Sequence, residues 1–277
     1  KGWGEVNVQG YHRPHFDSVS GISTGALIAP FAFVGTDSSY DRIVDLYRNP
    51  DKGMVKLRPL MSILSGTGSV YDATNLHKRI AAGIDEKLIQ SIARGANENR
   101  VLIVGATNLD FGTLQVWDLA NIAATSQATN AHPLIIEKLI ASSAIPAVFP
   151  PVNINNLLYV DGGASMQVVS GINDRVWLHE NLPTDLEFIN KDAPIKIRIW
   201  VIVNNKLVME PEVVRPTWSS IATRSLNALM RGSTLQTIQD TETFAHMIDQ
   251  RPEFDVEMHY VAIPQEYNIP ETTDLFD

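Results

Sequence analysis

The sequence contains no cysteine among its 277 residues. Disulfides, thiolate metal sites and cysteine nucleophiles are therefore excluded. The absence of cysteine does not determine the cellular compartment, because many exported proteins also lack cysteine. Long apolar runs are lacking too. The longest covers residues 26–35, far fewer than the roughly 20 that a membrane-spanning helix needs. We expect a soluble chain that is either cytoplasmic or exported.

Basic side chains are outnumbered by acidic ones. The chain has 22 Lys and Arg against 31 Asp and Glu, a formal net charge of −9, and no basic cluster stands out. A surface of this sign repels nucleic-acid phosphates, so nucleic acid is excluded as a partner. Hydrophobic residues make up 44% of the chain and charged residues 19%, which is typical of a globular protein with a sizeable core.

Short apolar runs alternate with longer amphipathic stretches, and no repeat or Gly/Ser linker divides the chain. This alternation predicts an α/β protein in which residues 1–277 form a single domain. The predicted strands cover residues 16–20, 101–107, 113–117, 157–160, 195–203 and 256–263. The predicted helices cover residues 24–33 and 72–93, a stretch from Pro133 to just before Pro146, and the region around Trp218. Residues 165–194 are predicted as loop with short helical pieces.

Three side chains mark helix boundaries in this pattern. Pro30 is expected to bend or shorten the wholly apolar helix at residues 24–33, because proline has no N–H to donate. Asp72 is the predicted N-cap of the amphipathic helix at residues 72–93. Pro133 is expected to open the helix in which it lies.

The segment Gly21-Ile22-Ser23-Thr24-Gly25 is a G-x-S-x-G pattern between a predicted strand and an apolar helix. In a nucleophile elbow, glycines leave room for a tight turn that holds the serine in a strained backbone conformation above the sheet. The helix that follows directs its positive N-terminus at the place where an oxyanion would form. An ordinary Gly-Ser turn is the alternative.

A serine hydroxyl needs a base to become a nucleophile, and two kinds of base are available. His246 or His259 would give the order serine, acid, histidine of an α/β-hydrolase, although that fold usually builds several strands before its elbow. Asp161 is the other candidate, because it ends a predicted strand where open α/β sheets place their sites. Gly162 and Gly163 follow it and permit close approach of a backbone or substrate. A common surface turn is the alternative for these three residues.

Three motifs in order carry a resemblance to the patatin-like phospholipase family. They are residues 21–27, residues 141–151 (Ala-Ser-Ser-Ala-Ile-Pro-Ala-Val-Phe-Pro-Pro) and Asp161-Gly162-Gly163. Residues 16–35, residues 107–123 and the helix near Trp218 resemble bacterial members of the family. The resemblance implies a three-layer α/β/α fold with a mostly parallel central sheet.

The resemblance also implies a serine acyl hydrolase (a lipase, phospholipase or esterase) with a Ser-Asp dyad and an acyl-enzyme intermediate. Ser23 would be the nucleophile, Asp161 the base and the Thr24 N–H an oxyanion donor. Val148 and Phe149 would wall an acyl groove, with plain core packing as an equal alternative. Lipid or ester substrates and peripheral membrane contact follow from the resemblance, and no cofactor or metal does.

One departure from the family pattern lies before the elbow. Family members have a glycine-rich loop at the end of a first strand, which supplies further N–H donors to the oxyanion. Residues 1–15 resemble only the end of the helix that follows this loop, so we expect the loop to be absent from the sequence given. If the protein itself lacks the loop, we expect its sheet to lack the first strand as well. This departure leaves open a non-catalytic lipid-binding or storage protein of the same fold.

Overall fold

The computed structural model describes residues 14–48, 56–57, 71–126, 128–146, 148–169 and 194–267. These residues fall into two compact units, one that extends to Ser165 and one that begins at Met166. A single domain over residues 1–277 stays a prediction. The predicted loop between 165 and 194 lies mostly outside the described residues.

The first unit alternates strands and helices along the chain. Its described strands are β1 (Ser18–Gly21), β2 (Lys56–Leu57), β3 (Tyr71–Asp72), β4 (Val101–Asn108), β5 (Thr113–Asp118), β6 (Val152–Ile154) and β7 (Leu157–Asp161). Its described helices are α1 (Thr24–Val34), α2 (Asp37–Arg48), α3 (Thr74–Gly83), α4 (Glu86–Asn97), α5 (Leu119–Thr125) and α6 (Ala128–Ser142), with a short 3₁₀ turn at Gly162–Ala164.

In the main sheet β4 pairs with β1, β5 and β7, and β7 pairs in turn with β6. The α/β class is therefore confirmed, and helices with a mixed sheet are compatible with the three-layer α/β/α fold. The prediction of a mostly parallel sheet is wrong for the described strands: β1 runs parallel to β4, whereas the β4–β5, β4–β7 and β6–β7 pairs are antiparallel. Short links account for two of these antiparallel pairs: residues 109–112 join β4 to β5, and Asn155 and Asn156, with φ of 52° and 65°, turn the chain between β6 and β7. Links this short can join only antiparallel strands.

Helix α1 supplies much of the core beside this sheet. Its buried residues include Ala26, Ala29, Phe31 and Phe33, as its apolar sequence predicts. Pro30 lies inside the helix and does not end it, so the expected shortening is wrong. The helix ends instead at Gly35, which has φ of 70° and donates its N–H to the Phe31 carbonyl.

The predicted helix over residues 72–93 is two helices, α3 and α4. Asp85 separates them, because its side chain accepts a hydrogen bond of 2.9 Å from the Leu88 N–H and caps α4. Arg42 holds the same carboxylate at 3.0 Å. The apolar stripe crosses the break without interruption, with buried side chains at Ile80, Ile84, Leu88 and Ile92.

Two predicted helix starts also need correction. Helix α3 begins at Thr74, and its N-cap position is Ala73 rather than Asp72, although the Asp72 side chain does accept a hydrogen bond from the Thr74 N–H. Helix α6 begins at Ala128, with Pro133 in its interior. It ends at Ser142, before Pro146, as predicted.

The second unit contains β8 (Ile195–Val203), α7 (Trp218–Asp249) and β9 (Phe254–Ala262). The two strands pair in parallel from Ile195↔Phe254 to Val203↔Ala262. A parallel pair needs a long crossover, and α7 lies in the connecting segment. The bounds of β8 are those predicted, and β9 begins two residues earlier than predicted.

Candidate active site

Strands β1 and β7 meet head-on at one edge of β4. Gly21 pairs with Val104, whereas Asp161 pairs with Ala106. Strand β5 pairs with β4 at both of these levels, so β1 and β7 must share the opposite edge. The ends of the two strands therefore face each other across Gly105. The prediction that both strands end at one rim of a parallel sheet is wrong, yet the two ends do come together.

Ser23 follows β1 directly and adopts φ of 56° and ψ of −124°. This region is rarely occupied by non-glycine residues and costs about 1–3 kcal/mol unless surrounding contacts hold it. The Ser23 hydroxyl donates a hydrogen bond to Asp161 Oδ2, across 138 positions of sequence. The prediction that the two side chains lie within hydrogen-bond reach is confirmed, and their catalytic roles stay a prediction.

Asp161 is fully buried, and its carboxylate has two hydrogen-bond donors. Oδ2 accepts from Ser23, and Oδ1 accepts from the Gly163 N–H at 2.8 Å. Burial raises the pKa of Asp161 to about 6, while these two hydrogen bonds act in the opposite direction. A carboxylate with this pKa is ionised at neutral pH and is a stronger base than an ordinary aspartate.

The backbone of Asp161 is fixed as well. Its carbonyl accepts from the Thr107 hydroxyl at 3.0 Å, and its N–H donates to the Ala144 carbonyl at 2.8 Å. Gly162 packs so tightly that a Cβ there would lie 2.6 Å from the Gly105 carbonyl oxygen. The glycines after Asp161 thus permit a close backbone approach, as the sequence predicts. Gly105, on the other side of this contact, was not predicted, although a lone glycine inside a buried strand is a signal of close backbone approach.

The N–H of Thr24 is the predicted oxyanion donor that the elbow itself provides. Helix α1 begins at Thr24, and the first N–H groups of a helix have no partner within it. Within the described ranges, no hydrogen bond from the Thr24 N–H is formed. It is therefore available to a ligand at the positive end of the helix.

The two glycines of the elbow differ in what they tolerate. A Cβ on Gly21 would lie 2.3 Å from the Gly25 carbonyl oxygen, whereas a Cβ on Gly25 would meet nothing within 4 Å. We expect Gly21→Ala to lower the free energy of unfolding by about 2–4 kcal/mol, because backbone atoms must move. The matched Gly25→Ala should leave it unchanged or raise it by up to about 1 kcal/mol, since alanine favours helix. Urea unfolding of both variants measures this difference, and equal losses would contradict the packing described.

A family model described as patatin-like phospholipase matches residues 4–186, more than half of the chain. The chain belongs to the patatin-like phospholipase family. The resemblance carried by the three motifs is thereby confirmed. No curated protein matches the chain at a significant level.

The predicted acyl groove of this patatin-like chain has mixed support. Phe149 is only 6% exposed and packs in a small apolar cluster with Ala73, while the partly buried Val148 lies against that cluster. This agrees with core packing for Phe149, and the groove stays a prediction. The first unit also has an open cleft of about 550 Å³. The cleft is lined by the segment from Pro150 to Val152, which follows Phe149 in the chain, and by His77, His132, Pro133, Ile136, Glu137 and Ile140.

Among the described residues of the first unit, no histidine forms a hydrogen bond with Ser23 or Asp161. The two candidate histidine bases lie in the second unit and contact other side chains there. His246 Nε2 lies 3.2 Å from Gln250 Nε2, and the His259 ring stacks on Trp200 with centroids 4.4 Å apart. Within the described ranges, no three acidic or histidine side chains are grouped as a metal site would require, and no helix is long and apolar enough to cross a membrane.

Proposed function

We propose that this patatin-like protein is a serine hydrolase that cleaves the carboxylic esters of lipids through a Ser-Asp dyad. The hydrogen bond from the strained Ser23 to the buried Asp161 carries this proposal. Membership in the phospholipase family supports lipid substrates. Peripheral membrane contact stays a prediction that accompanies such a substrate.

The reaction begins when Asp161 takes the proton of the Ser23 hydroxyl as Oγ attacks the ester carbonyl carbon. The carbonyl oxygen becomes an oxyanion that accepts a hydrogen bond from the Thr24 N–H at the start of α1. When the tetrahedral intermediate collapses, the alcohol leaves with the proton held by Asp161. Water then gives a proton to Asp161 and attacks the acyl group, and Ser23 regains its proton as the fatty acid departs.

The pKa of Asp161 sets the pH at which this chemistry operates. The base must be ionised, and its pKa is raised to about 6. We expect kcat/KM for a short-chain chromogenic ester to rise about tenfold per pH unit on the acid side and to level off above about pH 6, because kcat/KM reports groups of the free enzyme. A profile that is flat between pH 4.5 and 7 would contradict the assignment of the base.

Variants of two histidines distinguish the dyad from an α/β-hydrolase triad. The dyad predicts that His246→Ala and His259→Ala each keep kcat/KM within about threefold of the unmodified protein. A loss of a thousandfold or more in either variant would favour a histidine base. If the unmodified protein is folded but hydrolyses no ester, this result would favour the lipid-binding or storage alternative.

A further inference from the structure

A second serine, Ser142, forms a hydrogen bond with the backbone of the proposed nucleophile. Ser142 is the last residue of α6 and is fully buried. Its hydroxyl oxygen accepts a hydrogen bond of 3.1 Å from the backbone N–H of Ser23, 119 positions away in the sequence. This hydrogen bond connects the C-terminal end of α6 to the elbow that precedes α1.

The Ser23 N–H needs this acceptor. The ladder between β1 and β4 ends at Gly21, and α1 begins at Thr24, so neither element provides a carbonyl for it. Ser23 is partly buried, so leaving its N–H without a partner would be costly, and a residue at positive φ persists only when its surroundings hold it there. Within the described residues, Ser142 Oγ is the acceptor that this N–H finds.

The same short segment also holds the proposed base. The Ala144 carbonyl accepts the N–H of Asp161 at 2.8 Å, two residues after Ser142. Residues 142–144 therefore bind the backbone at both partners of the dyad. The nucleophile is held through a side chain and the base through a main-chain carbonyl, so a substitution can remove the first link and leave the second.

We propose that Ser142 is a positioning residue, which fixes the Ser23 backbone so that its hydroxyl points at Asp161 and the Thr24 N–H faces the reacting carbonyl oxygen. This inference rests on the proposed function. Ser142 does not touch the reacting atoms, and its effect passes through the Ser23 N–H. Its loss should slow the chemical step without weakening substrate binding, because the elbow relaxes from the geometry that both groups need.

Neighbouring serines provide a matched comparison. Ser143 Oγ donates to the Leu139 and Ile140 carbonyls within α6, at 2.9 and 3.2 Å, and has no contact with the dyad. We expect Ser142→Ala to lower kcat about tenfold or more with KM within about twofold, and Ser143→Ala to leave both unchanged. Ser142→Cys, which keeps the shape of the side chain but replaces the oxygen with a larger atom that is a weak acceptor, should lose kcat as Ser142→Ala does.

The rates should be measured on a soluble short-chain ester and divided by the active-site concentration from fluorophosphonate titration, which removes any effect of unfolded protein. Equal kcat values per active site in the Ser142 and Ser143 variants would overturn the positioning role. So would full kcat in Ser142→Cys. If the unmodified protein neither turns over the ester nor reacts with the probe, the proposed function itself fails and the positioning role falls with it.

Discussion

Ser23→Ala is expected to lower kcat/KM for ester hydrolysis by about 10⁴-fold or more. Alanine has no oxygen to attack the carbonyl, and neither Asp161 nor the Thr24 N–H can form an acyl-enzyme intermediate without it. The free energy of unfolding should fall by no more than about 1–3 kcal/mol, because the variant loses one hydrogen bond to the buried Asp161 carboxylate and no apolar contact. Chromogenic-ester kinetics and urea unfolding measure the two quantities.

Ser91→Ala is a suitable control for this variant. The Ser91 hydroxyl donates to the Lys87 carbonyl within α4, so its removal should leave kcat/KM unaltered. Turnover by Ser23→Ala at more than about one hundredth of the original rate would show that another residue is the nucleophile.

Asp161→Asn should remove most activity and make the protein more stable at neutral pH. An amide cannot take the Ser23 proton, so we expect kcat/KM to fall about 10³-fold or more. The folded pKa of Asp161 is about 6, above the ordinary aspartate value of 3.8, so ionisation favours the unfolded chain. The free-energy cost of ionising Asp161 in the folded protein is absent below about pH 4 and complete above about pH 6. A shift of about two pKa units corresponds to about 3 kcal/mol, an upper estimate of the stability gained at pH 8.

Urea unfolding of Asp161→Asn at pH 4 and pH 8 tests this sign. The difference from the unmodified protein should be near zero at pH 4 and stabilising at pH 8. Asp118→Asn serves as the control, because Asp118 caps α5 by accepting the Ala120 and Asn121 N–H groups and asparagine caps equally well. If Asp161→Asn instead lost more stability at pH 8 than at pH 4, the charge of Asp161 would stabilise the folded protein, which contradicts this prediction.

The sequence marked Ser23 and Asp161 as candidate site residues, because elbows and acidic turns have local requirements that glycine reveals. Only the family resemblance paired the two and preferred Asp161 to a histidine. Gly21 and Gly162 each stand where a Cβ would meet backbone. Gly25 belongs to the same motif but has open space beside it. The G-x-S-x-G motif therefore located the elbow correctly but did not show which of its two glycines the packing requires.

The arrangement of the strands could not be predicted from apolar runs alone. Buried strands of parallel and antiparallel sheets look alike in sequence, and the direction is decided by the length of the links between them. The Asn155-Asn156 pair was the available signal for a tight turn before β7. The break between α3 and α4 was hidden for a similar reason, since the apolar stripe continues through Ile84 and only the cap at Asp85 marks it.

Ser142 illustrates what local patterns cannot provide. It lies in the middle block of the family resemblance, yet a serine at a helix end is ordinarily explained by its own turn. Its importance comes from a contact over 119 positions, and such a contact is visible only in the folded chain.

Reaction of the protein with a fluorophosphonate, followed by mass spectrometry of its peptides, tests the central claim most directly. Such probes phosphonylate an activated serine, and denatured protein controls for nonspecific reaction. We expect one phosphonyl group per folded chain, located on Ser23, formed more slowly below about pH 6 and absent from Ser23→Ala. A folded protein that stays unlabelled, or one labelled stoichiometrically on another serine, would contradict the proposal that Ser23 and Asp161 form a catalytic dyad.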